Sequence, residues 1–561
     1  MIDIQPQHVT LDRLLHGRLF RIPQYQRAYS WRSKERKDLF EDIDRTWAAG
    51  NDRHHFMATI VGLRREKRTI ITTEHQVVEV VDGQQRITTL ILILKAIAKA
   101  LDRSDPVGER IGREIDETLV KQDKASLLLL QTNHDTSNYF ADYLRRRTGN
   151  PPPSGSAKTL ADRELLTAME DCEKFVGDWQ GRGDSLTDLV GLLKNRLTFV
   201  FYEIGDEAMV YTVFEVLNSR GLDVSWFDRL KSMLMAIVFE ADTGNKSENI
   251  GVVHQLWADI YRCVGLRLGS SSEALRFAAT LRLDKGWPPS RPVGEAEAAE
   301  LLRDQSKTGT AKVIETTTWL KAVTEAVNQL AADRRRNAVT QIAQARLAAT
   351  AVNLRRDLSE AEKERVLRRW ENVTFRIYGM SDKDARWAVG NYVRLAWSIT
   401  REKLPATTIL AKLSDIGAEF PIAKAVQHLS KTNCYEGWQE ELRYFFYRYE
   451  EYLARKAGQN FDNEQWNRIW EASAADSIEH ILPQSSESAD WVHWLGNLLV
   501  LPPKLNSKLG AKPPREKADE YTKTGLLVAR EVGGRLPRWG RRAIEDRENA
   551  LLEWALKEWV D

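Results

Sequence analysis

The chain is poor in cysteine. Its only cysteines are Cys172, Cys263 and Cys434, too widely spaced for a Cys-x-x-Cys pair or an even disulfide framework. That argues against a structural zinc site and a stapled secreted fold, and for a reducing compartment. No apolar run reaches the ~18–20 residues that a membrane span needs. The first residues, MIDIQPQHVTLDRLL, lack the charged-then-apolar layout of a signal peptide. A cytoplasmic protein with no membrane partner is implied. No G-x-x-x-x-G-K-[ST] is present, which excludes P-loop NTPases as a class. An excess of one charge is missing too: 82 Lys and Arg face 80 Asp and Glu, a net charge of +2, so net charge names no partner.

What is present is length and pattern. A chain of 561 residues, 42% hydrophobic, exceeds the size at which a single core stops growing, so about two to four domains are expected. FMATIVGL (56–63), VVEVV (77–81) and LTFVFYEI (197–204) read as strands, and ITTLILILKAIAKAL (87–101) as a buried helix, which makes residues 1–240 an α/β domain. The Pro-rich TGNPPPSGSAK (148–158) reads as a loop within it. Residues 241–435 read as all-α, with helical spacing of apolar residues in stretches such as 335–358. The same spacing continues over 435–457, where Trp438, Phe445, Tyr449 and Tyr452 form an aromatic stripe best read as a packed face. Residues 436–561 finish with short strands and basic helices, an α+β domain. Eleven Lys and Arg stand against four acids between 501 and 542, a surface able to neutralise nucleic-acid phosphates.

Two stretches carry candidate chemistry. In VVEVVDGQQRITTLILIL (77–94) a strand turns at Asp82-Gly83 into a helix. That N-terminus offers unpaired N–H groups and the positive end of a dipole to an anion, and Arg86 adds a fork of donors. The alternative is that Asp82 caps the helix and Arg86 pairs with a surface acid. RIPQYQRAYSW (21–31) and FEVLNSRG (214–221) share this polar, aromatic and basic character, and Arg220 and Lys231 could face the same anion as Arg86.

IEHILPQ (478–484) sets Glu479 beside His480. Hydrolysing a phosphodiester needs a base for the attacking water, and histidine, with a free pKa of ~6.5, suits that task. It also needs a cation on the phosphate, for which Mg²⁺ requires only a couple of oxygen ligands. On an extended strand the carboxylate and the imidazole point opposite ways. WLGNLLVLPPKLNSKLG (494–510) then adds a strand, with Asn497 before it and Asn506 in the first turn of a following helix. His493 reads as a surface histidine beside Trp491 and Trp494, and His54 and His55 lack a partner at metal spacing.

PQYQRAYSW, VDGQQR and FEVLNSRG, in that order, followed by EHILPQ, GNLxxL and a later Asn, resemble GmrSD-type modification-dependent (type IV) restriction endonucleases. The resemblance covers roughly 1–240 and 436–561. It implies a ParB- and sulfiredoxin-like domain that binds and hydrolyses an NTP, GTP or another, at Asp82, Gly83, Gln84, Gln85 and Arg86, with Gln24 and Arg27 in the same site. It also implies a C-terminal HNH, or ββα-metal, nuclease domain in which His480 is the general base, Asn497 braces the loop that orients it, and Glu479 and Asn506 hold Mg²⁺ or Mn²⁺. The partner implied is double-stranded DNA, modified phage DNA in particular; neither a monomer nor a homo-oligomer is excluded. Two further readings stay open: a ParB-like NTP-switched DNA-binding regulator that does not cut, and a nuclease toxin indifferent to modification.

Overall fold

In the computed structural model the described residues are 6–23, 26, 28–50, 53–121, 127–131, 138–146, 149–205, 225–240, 245–265, 267, 269–284, 289–459, 461, 463–486 and 490–561. The chain falls into two compact units, one of residues 1–275 and 295–324, the other of 276–294 and 325–561. Neither unit ends at 240 or 435, where composition shifts along the sequence. FEVLNSRG lies outside the described residues.

The first unit is built on a six-stranded mixed sheet ordered β1-β6-β3-β4-β2-β5. Its strands are β1 (Pro6–Thr10), β2 (Arg18–Ile22), β3 (His55–Ile70), β4 (Thr73–Asp82), β5 (Leu129–Gln131) and β6 (Leu197–Ile204). The three apolar runs picked out above lie in β3, β4 and β6. β3 runs on past Leu63 through a polar half, which pairs antiparallel with β4 across a hairpin. Cross-strand ion pairs hold this extension, Arg65 to Glu79 at 2.8 Å and Lys67 to Glu74 at 3.2 Å. The helix Gln84–Ala100 is polar in its first turn and largely apolar from Leu90 on, buried along almost its whole length and packed on the helix Leu160–Gly181. Its one inward lysine, Lys95, is paired with Asp116 at 2.8 Å.

The second unit is largely helical. Residues 335–358, expected as one helical stretch, form a short turn of helix (Arg334–Asn337), a break, and the helix Ala343–Asn353. The break is local side-chain chemistry: Thr340 accepts the Ile342 N–H at 3.0 Å, an alternative to the helical ladder. Fully buried Glu371 ties residues of the 360–374 helix to the C-terminal end of this unit. It accepts from Tyr444 at 2.5 Å and from Arg448 on the helix Gln439–Ala457. Arg448 also reaches Glu558 at the end of the helix Arg541–Glu558. A buried carboxylate needs such partners. The stripe Trp438, Phe445, Tyr449 and Tyr452 packs inward, with Phe445 and Tyr449 against Trp554.

A two-stranded antiparallel hairpin stands near the C-terminal end of this unit: β7 (Ile478–His480) and β8 (Leu498–Val500), with His480 opposite Leu498. The helices Pro503–Leu509 and Pro514–Lys523 follow it, each entered through proline.

Candidate functional site

The hairpin separates Glu479 from His480. On an extended strand consecutive side chains leave by opposite faces, and here both faces are occupied. Glu479, 3% exposed, accepts from Lys517 Nζ at 2.7 Å and from Tyr521 Oη at 2.8 Å through the same oxygen, Oε1. The Lys517 ammonium also donates to the His480 carbonyl at 2.8 Å. On the other face His480 Nε2 lies 3.1 Å from His493 Nδ1, and Gln484 Nε2 lies 3.1 Å from His480 Nδ1. The Tyr435 ring meets His480 edge-on at 4.6 Å and stacks on His493 at 5.6 Å.

Two asparagines tie the surroundings to the strand. Asn497 donates from Nδ2 to the Leu482 carbonyl at 3.0 Å and the Val492 carbonyl at 2.7 Å, and its Oδ1 accepts from Leu482 N–H at 2.9 Å and Trp539 Nε1 at 3.2 Å. Asn506, in the 503–509 helix, donates from Nδ2 to the carbonyls of Asp476 at 2.8 Å and Ile478 at 3.0 Å. Its Oδ1 enters no hydrogen bond among the described residues.

In the first unit Gly83 has φ +89°, and a Cβ there would meet Ile60 Cγ1 at 2.9 Å, so the turn demands glycine. Asp82 accepts the Gly83 N–H at 2.8 Å, and no side chain caps the helix that follows. Gln26, Ala28 and Ser30 lie on this turn. Gln85 accepts from Ser30 N–H at 2.9 Å and donates to the Ala28 carbonyl at 3.2 Å, while Gln26 donates to the Val81 carbonyl at 2.8 Å. Gln84 donates to Gln26 at 3.4 Å, and buried Lys231 reaches the Gln26 carbonyl at 3.5 Å. Arg86 lies over the Trp31 ring at 5.8 Å. Its guanidinium forms no hydrogen bond or ion pair among the described residues, and burial lowers its pKa against the opposing pull of Asp82 and Asp42. Gln24, Arg27 and Arg220 lie outside the described residues.

Two family models match this chain. Residues 11–235 match the GmrSD restriction endonuclease N-terminal domain, and residues 422–554 match the C-terminal domain of the same enzymes. The chain belongs to the GmrSD restriction endonucleases. No curated protein matches it.

As a GmrSD restriction endonuclease the chain has DNA as a partner, and those of its candidate residues that are described lie in these two places. Burial, then the neighbouring His493 and Lys517, pushes the His480 pKa down to about 3, so the imidazole keeps a lone pair at neutral pH. Burial pushes the Glu479 carboxyl up, opposed by Lys517 and Tyr521.

Two residues stand elsewhere than their sequence surroundings suggest. Lys517, counted with the basic surface, is fully buried beneath Glu479, whereas the other ten Lys and Arg of 501–542 are exposed. His493 is no surface histidine: it is half-buried and bonded to His480. The spacing of Lys517 and Tyr521, four residues apart on one helical face, is the signal that pairs them. No group of three or more His, Cys, Asp or Glu able to hold a metal exists among the described residues. Nor, among them, is any helix long and apolar enough to cross a membrane.

Proposed function

We propose that this chain is a nucleotide-regulated, metal-dependent endonuclease of the type IV class that cuts modified phage DNA. The observation that carries the reading is the placement of His480 at the end of a strand whose other face holds the Glu479 carboxylate. The hairpin and the 503–509 helix are read as an HNH ββα-metal unit, and the six-stranded domain as ParB- and sulfiredoxin-like.

His480 takes the proton of the attacking water. Asn497 holds the segments on either side of the imidazole, and the exposed Lys and Arg of 501–542 receive the phosphates. Glu479 and Asn506 would hold one Mg²⁺ or Mn²⁺, which when bound neutralises charge growing on the phosphate. The oxygens left over fit it: among the described residues Asn506 Oδ1 and Glu479 Oε2 enter no hydrogen bond, Lys517 and Tyr521 both using Oε1, and Mg²⁺ asks for only one or two protein carboxylates. At the other cluster the uncapped helix start at Gln84 and the Arg86 guanidinium would take the phosphates of GTP or another NTP.

The test is a scission assay with Mg²⁺ on plain DNA and on DNA carrying modified cytosine, with and without NTPs. The modified DNA is expected to be cut, and His480→Ala to leave it intact. Arg86→Ala is expected to weaken NTP binding roughly 10- to 100-fold, the value of one charge-assisted hydrogen bond, which calorimetry would measure. No scission of either DNA by the unaltered chain, with NTP hydrolysis intact, would replace this reading by the non-cutting DNA-binding switch. Scission without regard to modification would point to a nuclease toxin.

A further inference from the structure

The hydrogen bonds around His480 form a chain with a direction. With the Gln484 amide oriented as it is, Nε2 3.1 Å from His480 Nδ1, the amide donates and Nδ1 accepts. A neutral imidazole with its lone pair on Nδ1 carries its proton on Nε2. That Nε2–H lies 3.1 Å from His493 Nδ1, which must therefore accept. Gln484 is exposed, so its amide is a group that substrate water can replace at Nδ1. His493 is not replaceable in that way. Its carbonyl accepts the Cys434 N–H at 3.0 Å, and the Tyr435 ring lies within 14° of parallel over its own.

We propose that His493 is a positioning residue for DNA cleavage: by accepting the Nε2–H of His480 it holds that imidazole in the tautomer whose Nδ1 faces the attacking water. The inference rests on His480 being the base. A histidine whose partner fixes its tautomer loses rate when the partner can no longer accept, even if the packing survives.

Two substitutions separate acceptance from packing. His493→Phe keeps a ring beneath Tyr435 and removes the acceptor; His493→Asn removes the ring and can restore an oxygen near the Nδ1 position. The first is expected to lower kcat for scission roughly 10- to 100-fold with KM little changed, and the second to recover most of that loss. Nitrogen-15 spectra of the metal-free full chain, with His480 assigned by its disappearance in His480→Gln, are expected to show a protonated Nε2 and an unprotonated Nδ1. In His493→Phe the two tautomers are expected to mix. Full activity in His493→Phe, or a proton on Nδ1 in the unaltered chain, overturns the proposal. If His480→Ala cuts as fast as the unaltered chain, the base assignment itself fails, a result distinct from either.

Discussion

Lys517→Met is expected to destabilise the second unit by about 3–5 kcal/mol, the cost of leaving a buried charge without its partner, and to abolish scission. Methionine fills nearly the same volume, so packing is a small part of the loss. What goes is an ammonium that is itself fully buried and bonded at once to Glu479 Oε1 and to the His480 carbonyl. Glu479 would keep only the Tyr521 hydroxyl. The pH dependence has a definite sign. Burial already raises the Glu479 carboxyl and Lys517 is the leading group holding it down, so the variant's folded pKa stands still further above the unfolded value. A folded carboxyl raised in this way binds more protons than the unfolded one, and stability falls as pH rises through it. The deficit against the unaltered chain should therefore be largest near pH 8 and shrink toward pH 5, as read by denaturant unfolding. Lys517→Met with Glu479→Gln should recover most of the stability and none of the cutting. Equal stability of Lys517→Met and the unaltered chain at pH 8 would mean that the pair is not what holds the strand.

The same lysine shows where sequence reading stops. The sheet of the first unit is legible because β-branched runs such as VVEVV have a period and composition that few other structures use. The second half of β3 is not, since its stability comes from Arg65 and Lys67 facing Glu79 and Glu74 across a hairpin, and a charged stretch of that kind reads equally well as a loop. His480, Asn497 and Asn506 are legible as a spaced motif, and the fold sets them on one hairpin and the helix that follows it. Lys517 and His493 are not: a lysine among ten exposed basic residues, or a histidine between tryptophans, has no local mark of its partner. Burial of such a residue is decided by what the fold brings to it from Glu479 or His480, 38 and 13 residues away.

Asn497→Asp is expected to be as damaging as the loss of Lys517, although it changes one NH₂ for an oxygen. Asn497 is fully buried and uses both ends of its amide. Its Nδ2 donates to the carbonyls of Leu482 and Val492, and its Oδ1 accepts from Leu482 N–H and Trp539 Nε1. A carboxylate can keep the two accepted bonds. It cannot make the two donated ones, and it would set a charged oxygen 2.7 to 3.0 Å from carbonyl oxygens. Two orphaned buried acceptors cost about 1–3 kcal/mol each before repulsion is counted, so a loss of about 3–5 kcal/mol is expected. Protonating the new carboxyl returns one donor, so the loss should ease as pH falls, again measurable by denaturant unfolding. The functional effect follows from what the two carbonyls belong to. Leu482 lies on the segment leaving His480 and Val492 immediately precedes His493, so this one amide sets the separation of the two imidazoles. In Asn497→Asp the His480–His493 bond should be lost along with scission, and the nitrogen-15 signals of His480 should show mixed tautomers even in the fraction that remains folded. A folded, cutting Asn497→Asp protein would show that some other contact joins the two segments.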